Sequence, residues 1–207
     1  MPRSQGRPRK VAIDTIIDDS LQVFWDQGYA RTSISDLTRA TGCHPGALYQ
    51  SFGSKWTLFL ATLKRYSERG LRRVDTALDS RPRALDGLRA YLLDQVDLSW
   101  SATGSRGCLM ANSSLEILPG APDGGSAIAD HFQHLRQRLS AAVRTAQKQG
   151  DLSDDRTPDV IALYLLLIAE GMFVLGRTQP SRDEFAAAAE LALSLLRPQT
   201  SEAEATP

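Results

Sequence analysis

Cysteine is scarce in this chain. Cys43 and Cys108 are the only two among 207 residues, too few for a disulfide framework, and this points to a reducing compartment. Long apolar runs are missing as well. The most apolar stretch, residues 160–169, is 10 residues long and ends at Glu170, short of the roughly 20 needed to cross about 30 Å of hydrocarbon, so no membrane segment is expected. The basic N-terminus is not followed by the apolar stretch of a signal peptide, which favours a cytoplasmic setting. There is no Gly-rich phosphate loop, no nucleophile elbow and no His–Glu metal constellation, which argues against an enzyme and against a metal or other cofactor. Nothing alternates in the manner of a half-buried strand, and there is no internal repeat or long heptad. An all-α protein is expected.

Net charge is also absent, with 24 basic residues against 24 acidic ones, but the charge is not evenly spread. Residues 1–73 carry 12 Lys and Arg against 6 Asp and Glu, whereas residues 74–207 carry 12 against 18. A basic head on an acidic body suits a head that meets phosphates and a body that is kept from them.

Residues 1–10, with two prolines, a glycine and four cations, read as a flexible basic arm that adds salt-sensitive affinity or follows a minor groove. Ile13, Ile16, Ile17, Leu21, Phe24 and Trp25 then recur at helical spacing until Gly28 stops the run. A short helix over 33–41 carries Ile34, Leu37 and Ala40 inward, and Gly42 supplies a sharp turn. A second short helix starts at Pro45, where the missing N–H costs little, and Ser54 caps a longer helix reaching toward Leu78. Beyond it, helices are expected over 84–99, 108–118, 126–149, 158–177 and 181–196, and a small polar tail over 198–207.

Two short helices flanking a glycine turn have the geometry that sets the second in a DNA major groove while the first braces the backbone. Here the turn and second helix are Gly42-Cys43-His44-Pro45-Gly46-Ala47-Leu48-Tyr49-Gln50-Ser51-Phe52-Gly53-Ser54-Lys55, ten residues after Thr32-Ser33-Ile34. The string resembles the TetR family, matching its pattern at Thr32, Gly42, Leu48, Tyr49, Phe52 and Lys55. The resemblance is motif-strong over about residues 9–69 and architectural beyond. It implies a three-helix helix-turn-helix domain over 11–69, joined by a long helix to a helical ligand-binding and dimerisation domain over 70–197. Resemblance and chemistry together cast Tyr49 and Lys55 as phosphate contacts, and Thr32 and Ser33 as hydroxyl and helix-end N–H donors to the backbone. Ser35 and Pro45 complete the candidate interface. Base reading falls to His44, Gly46, Ala47 and Gln50, with Gln50 the best adenine reader and the small residues allowing close approach.

In the body, residues 160–175 are apolar nearly all round and 185–196 show an Ala-rich seam, which suits a homodimer as well as an intrachain core. The segment Arg106-Gly107-Cys108-Leu109-Met110-Ala111-Asn112-Ser113-Ser114-Leu115-Glu116 is similar to one in a TetR subgroup, some of whose members use a cysteine there to sense electrophiles or oxidants. A helix N-terminus and Arg106 would both lower the Cys108 pKa; the alternative is a buried, inert thiol beside Leu109 and Met110. Asn112 and Glu116 project into a pocket or satisfy a helix contact, the pocket being slightly favoured. Trp100, Tyr164, Met172 and Phe173 line an apolar cavity or belong to the core. His131 and His134 are three apart, a spacing open to a metal, but without a fourth ligand they read as a solvated face.

The function expected is a sequence-specific repressor acting as a homodimer on a palindromic double-stranded operator, released by a small-molecule inducer whose identity the sequence leaves open. A thiol-responsive repressor with Cys108 as sensor is the alternative. An activator with the same head and a helical adaptor that binds protein are further variants.

Overall fold

The computed structural model describes residues 12–101, 104–117, 121, 123–178 and 181–198. The basic arm, and the tail beyond Pro198, lie outside these residues. Among the described residues every regular element is helical: α1 (Ile13–Arg31), α2 (Ile34–Thr41), α3 (Pro45–Phe52), α4 (Lys55–Asp79), α5 (Ala84–Trp100), α6 (Leu109–Glu116), α7 (Gly124–Lys148), α8 (Pro158–Leu175) and α9 (Arg182–Ser194), with 3-10 turns at Gly104–Arg106 and Gly176–Thr178.

The starts of α2, α3 and α4 are fixed locally. Ser33 and Asp36 form a reciprocal capping box at α2, His44 accepts at its ring from the Ala47 N–H to open α3 with Pro45 in the first turn, and Ser54 caps α4. Gly42 ends α2 in the left-handed region at φ 68°, donating its N–H to Thr38 O. Gly28 also breaks its helix, though one more turn follows: φ is 79° there, and the chain re-enters helix up to Arg31.

Two apolar clusters organise the molecule. In the head, Ile16, Leu21 and Phe24 of α1 meet Leu37, Leu48, Leu58, Phe59 and Leu63, with Phe24 and Phe59 edge to face at 5.0 Å. That cluster does not stop at the head, because Cys108, Leu109, Met110 and Ile117 of the α6 region and Ile128 of α7 close it. The second cluster lies among α5, α7, α8 and α9, around Leu88, Tyr91, Leu92, Leu139, Val143 and Leu165. The 25-residue α4, about 37 Å long at 1.5 Å per residue, serves both: Leu58 to Leu63 face the head core, and Val74 and Leu78 the body core.

The apolar run of α8 is longer than residues 160–169, since Met172 to Leu175 continue it past Glu170. By length and composition alone Pro158–Thr178 is able to cross a membrane. Here its Ile161, Leu165, Ala169 and Met172 face the body core, while Leu163, Leu167, Val174 and Leu175 stay exposed.

Candidate nucleic-acid interface and regulatory cavity

The α3 helix rests on one buried side chain, Leu48, and turns its other faces outward: His44, Pro45, Gly46, Tyr49 and Gln50 are exposed and Ala47 half-buried. Tyr49 and Gln50 have no internal polar partner among the described residues, so their donors and acceptors remain for something outside. In accepting from Ala47 N at 3.3 Å, the His44 Nδ1 is an unprotonated nitrogen, which leaves its Nε2 as the ring's donor. Ser35 is exposed at the start of α2.

Three residues expected at the backbone are engaged within the protein. Lys55 donates to Tyr29 O at 2.8 Å and Thr32 O at 2.9 Å, with its ammonium 4.2 Å from the Tyr29 ring centroid. With Arg31, which donates to Gln27 O at 2.8 Å, it closes the C-terminal end of α1, where free carbonyls concentrate negative potential. Thr32 is buried and donates to Gly28 O at 2.7 Å. Ser33 donates to Asp36 Oδ2 at 2.6 Å, and these bonds hold the Asp36 carboxyl below the usual carboxylate range. The motif positions are thus where the string places them, but Thr32, Ser33 and Lys55 act as braces for α1, α2 and α4.

The second feature is a cavity of about 350 Å³ between α1, α4, α5 and α8, walled by Trp25, Tyr66, Leu98 and Phe173 and rimmed by Arg69 and Arg73. It shares Tyr66, Gly70, Arg73, Leu98 and Phe173 with an inner recess of about 70 Å³ that reaches Tyr91, Gln95, Cys108, His131 and Glu170. The recess is mainly apolar, with Arg73, Gln95, Cys108, His131 and Glu170 as its polar groups. His131 meets Ser67 Oγ at 2.9 Å through Nδ1, and burial lowers its pKa to about 4. Burial also raises Tyr66 and Tyr91 and pushes the Glu170 carboxyl up to about 7.

Of the expected sensor residues, Cys108 and Phe173 reach the recess and the rest do not. Cys108 is the N-cap of α6, its Sγ accepting from Ala111 N at 3.5 Å, yet the activation anticipated from the helix end is overruled. Burial and then Glu170 raise its pKa to about 12, and Arg106 turns away to Asp26 at 2.7 Å and Gln22 at 2.6 Å, 5.5 Å from the Trp25 ring centroid. Asn112 donates to Arg106 O at 2.7 Å, a loop clamp rather than a pocket group. Glu116 faces the head, accepting from Ala30 N at 2.9 Å. Trp100 is exposed at the end of α5, and Tyr164 packs on the body core. Met172 is also core, and His131 is buried rather than solvated. Among the described residues no metal-binding cluster forms. Glu170 was not foreseen as a site residue, although a carboxylate in the middle of an apolar helix is a visible signal.

The N-terminal family model of bacterial regulatory proteins of the tetR type matches residues 16–62, and the tetracyclin repressor-like C-terminal model matches 84–192. The chain belongs to the TetR family. Its relatives within that family include the HTH-type transcriptional repressor ComR of Escherichia coli, 26% identical over 183 residues, covering 88% of this chain and 87% of ComR. The transcriptional regulator AcuR of Cereibacter sphaeroides is 27% identical over 185 residues, covering 86% of this chain and 84% of AcuR. Among solved structures, a cysteine mutant of the TetR-family regulator CifR complexed with 26-base-pair double-strand operator DNA superposes with a TM-score of 0.81 at 28% identity, covering 92% of this chain and all of that one. This TetR-family chain is a DNA-binding transcriptional regulator and not an enzyme.

Proposed function

We propose that the protein is a cytoplasmic homodimeric repressor whose two α3 helices read the halves of a palindromic operator, and that a small molecule bound in the α1–α4–α5–α8 cavity releases it. The observation that carries this reading is the outward face of α3. Tyr49 and Gln50 stand exposed without internal partners on a helix anchored by Leu48. Gln50 is suited to adenine in the major groove, the Tyr49 hydroxyl to a phosphate and His44 Nε2 to a base or backbone acceptor. Gly46 and Ala47 keep the helix–groove distance short, with Pro45 and Ser35 at the rim. The first-turn N–H groups of α2 that the Ser33–Asp36 capping box does not use are suited to a phosphate of the adjacent backbone.

Dimerisation is supported by the exposed leucines of α8 and α9, among them Leu167 at 63% and Leu191 at 59%. A cavity volume of about 350 Å³ lies at the lower end of small-molecule sites, roughly 300–1,000 Å³. Because α4 forms one wall and also runs into the head core, a ligand there changes how the two heads are spaced.

The test is a gel shift on the DNA upstream of the chain's own gene, over a salt series. A specific complex whose affinity falls with salt and drops at least about tenfold in Gln50→Ala supports the reading. No such complex removes it.

One observation favours a second reading, thiol-dependent release: Cys108 lines the recess beside Tyr66 and Glu170, so a ligand that enters it meets the thiol. Burial opposes the thiolate, and the reaction therefore needs a reagent that reaches the recess. Equal operator release from wild type and Cys108→Ser under mild oxidant or electrophile would end this reading.

A further inference from the structure

Glu170 lies within α8, and its Oε2 is shielded from solvent with no hydrogen-bond partner among the described residues. An ionised carboxylate in that position is costly unless a positive group or several donors meet it. The cations nearby are already taken. Arg73 gives Nε and Nη2 to Asp94, each at 2.6 Å, Arg69 pairs with Asp18 at 2.8 Å, and Arg106 with Asp26 at 2.7 Å.

The other groups facing the recess are Tyr66 and Arg73 from α4, Tyr91 and Gln95 from α5, Cys108 ahead of α6 and His131 from α7. At neutral pH burial keeps the two phenols, the thiol and the imidazole uncharged. Glu170 is thus the acceptor in the recess without a counter-charge. Where the recess widens, the wall turns to rings, Trp25, Tyr66 and Phe173, which attract a cation on their faces and cover an apolar body.

We infer that, if this cavity is the inducer site, the inducer it takes is a small protonated amine: the ammonium pairs with Glu170 and an apolar or aromatic body lies against Trp25, Tyr66 and Phe173. The ammonium donates to the Glu170 carboxylate, and any proton the carboxyl held is released to solvent. An alcohol of the same size brings a donor without the charge, and a carboxylate meets like charge.

The experiment is isothermal titration of the full chain and Glu170→Gln with 2-phenylethylamine, 2-phenylethanol and 3-phenylpropionate, in buffers of different ionisation heat at about pH 6 and about pH 8. With the free carboxyl near 7, the amine is expected to bind wild type at least about tenfold tighter than either analogue, and to release close to one proton at the lower pH and close to none at the higher. Glu170→Gln is expected to lose the preference. An alcohol or acid that binds as tightly as the amine, an amine that does not bind, or no proton release at about pH 6 overturns the inference. The proton count is read on wild type and stands even if the variant fails to fold. A ligand-free gel shift in parallel separates the two claims: a specific DNA complex without amine preference sinks this inference alone, and amine preference without a complex sinks the repressor.

Discussion

Gly28 is a point of close approach between head and body. Its φ of 79° suits glycine, and a Cβ there would fall inside the Glu116 carboxylate. Two penalties coincide, and they separate by mutation. Gly28→Ala is expected to destabilise by about 2–3 kcal/mol in urea unfolding, and by only about 1 kcal/mol when Glu116 is also alanine, because the backbone cost stays while the clash goes. Equal losses in the two backgrounds would show that the carboxylate moves freely. Glu170 makes a second prediction at this scale. Its carboxyl rises from 4.5 to about 7 in the folded state, so between those values the folded chain holds a proton the unfolded chain has released. This group's contribution therefore falls as pH rises from about 4.5 through 7, while His131, lowered from 6.5 to about 4, makes stability rise with pH between those values. Thermal scans of wild type and Glu170→Gln isolate the first effect. The variant is expected to gain on wild type by a few degrees between about pH 5 and 8, and parallel curves would refute the buried charge.

At the scale of elements, α6 is a strut with one end at the recess and the other in the head. Cys108 caps its start in the recess wall, and Glu116 ends it on the Ala30 N–H. Glu116→Ala is expected to leave the fold intact, cost about 1 kcal/mol, and speed hydrogen exchange at Ala30 more than at amides of α2. The joint between α1 and α4 carries another prediction. Since the Lys55 ammonium is held by two carbonyls, Lys55→Met is expected to destabilise by about 1–3 kcal/mol, whereas Gln50→Ala leaves unfolding unchanged and weakens operator binding. A Lys55→Met chain of unaltered stability whose DNA affinity alone falls would return this residue to the phosphate role. The ion pairs from Arg65 and Arg69 of α4 to Asp14 and Asp18 of α1 bridge the same two helices but are partly exposed, so they set alignment more than stability.

For the whole molecule, the exposed leucines of α8 and α9 carry the prediction. Leu167→Glu with Leu191→Glu is expected to give a monomer by sedimentation while keeping helical content, and to abolish tight binding to a palindromic site, since each protomer offers one α3. A dimer that survives both changes would place the interface elsewhere. The helix-turn-helix was legible in the sequence because it is built from local rules: a sharp turn at Gly42, Pro45 in a first turn, and apolar residues at helical spacing. Family and function followed from that string. The tasks of individual side chains were less legible. Lys55 and Thr32 were placed correctly in the motif but meet atoms 23 to 26 residues and 4 residues away, respectively, and Glu116 reaches one 86 residues away. By itself the sequence determined the helices, their caps and the basic head, since backbone hydrogen bonds and apolar periodicity act over a few residues. Only the tertiary structure decided which charges are paired and which are buried. That balance raises the Cys108 thiol instead of activating it and leaves Glu170 without a counter-charge, because desolvation depends on neighbours brought from α4, α5, α6 and α7.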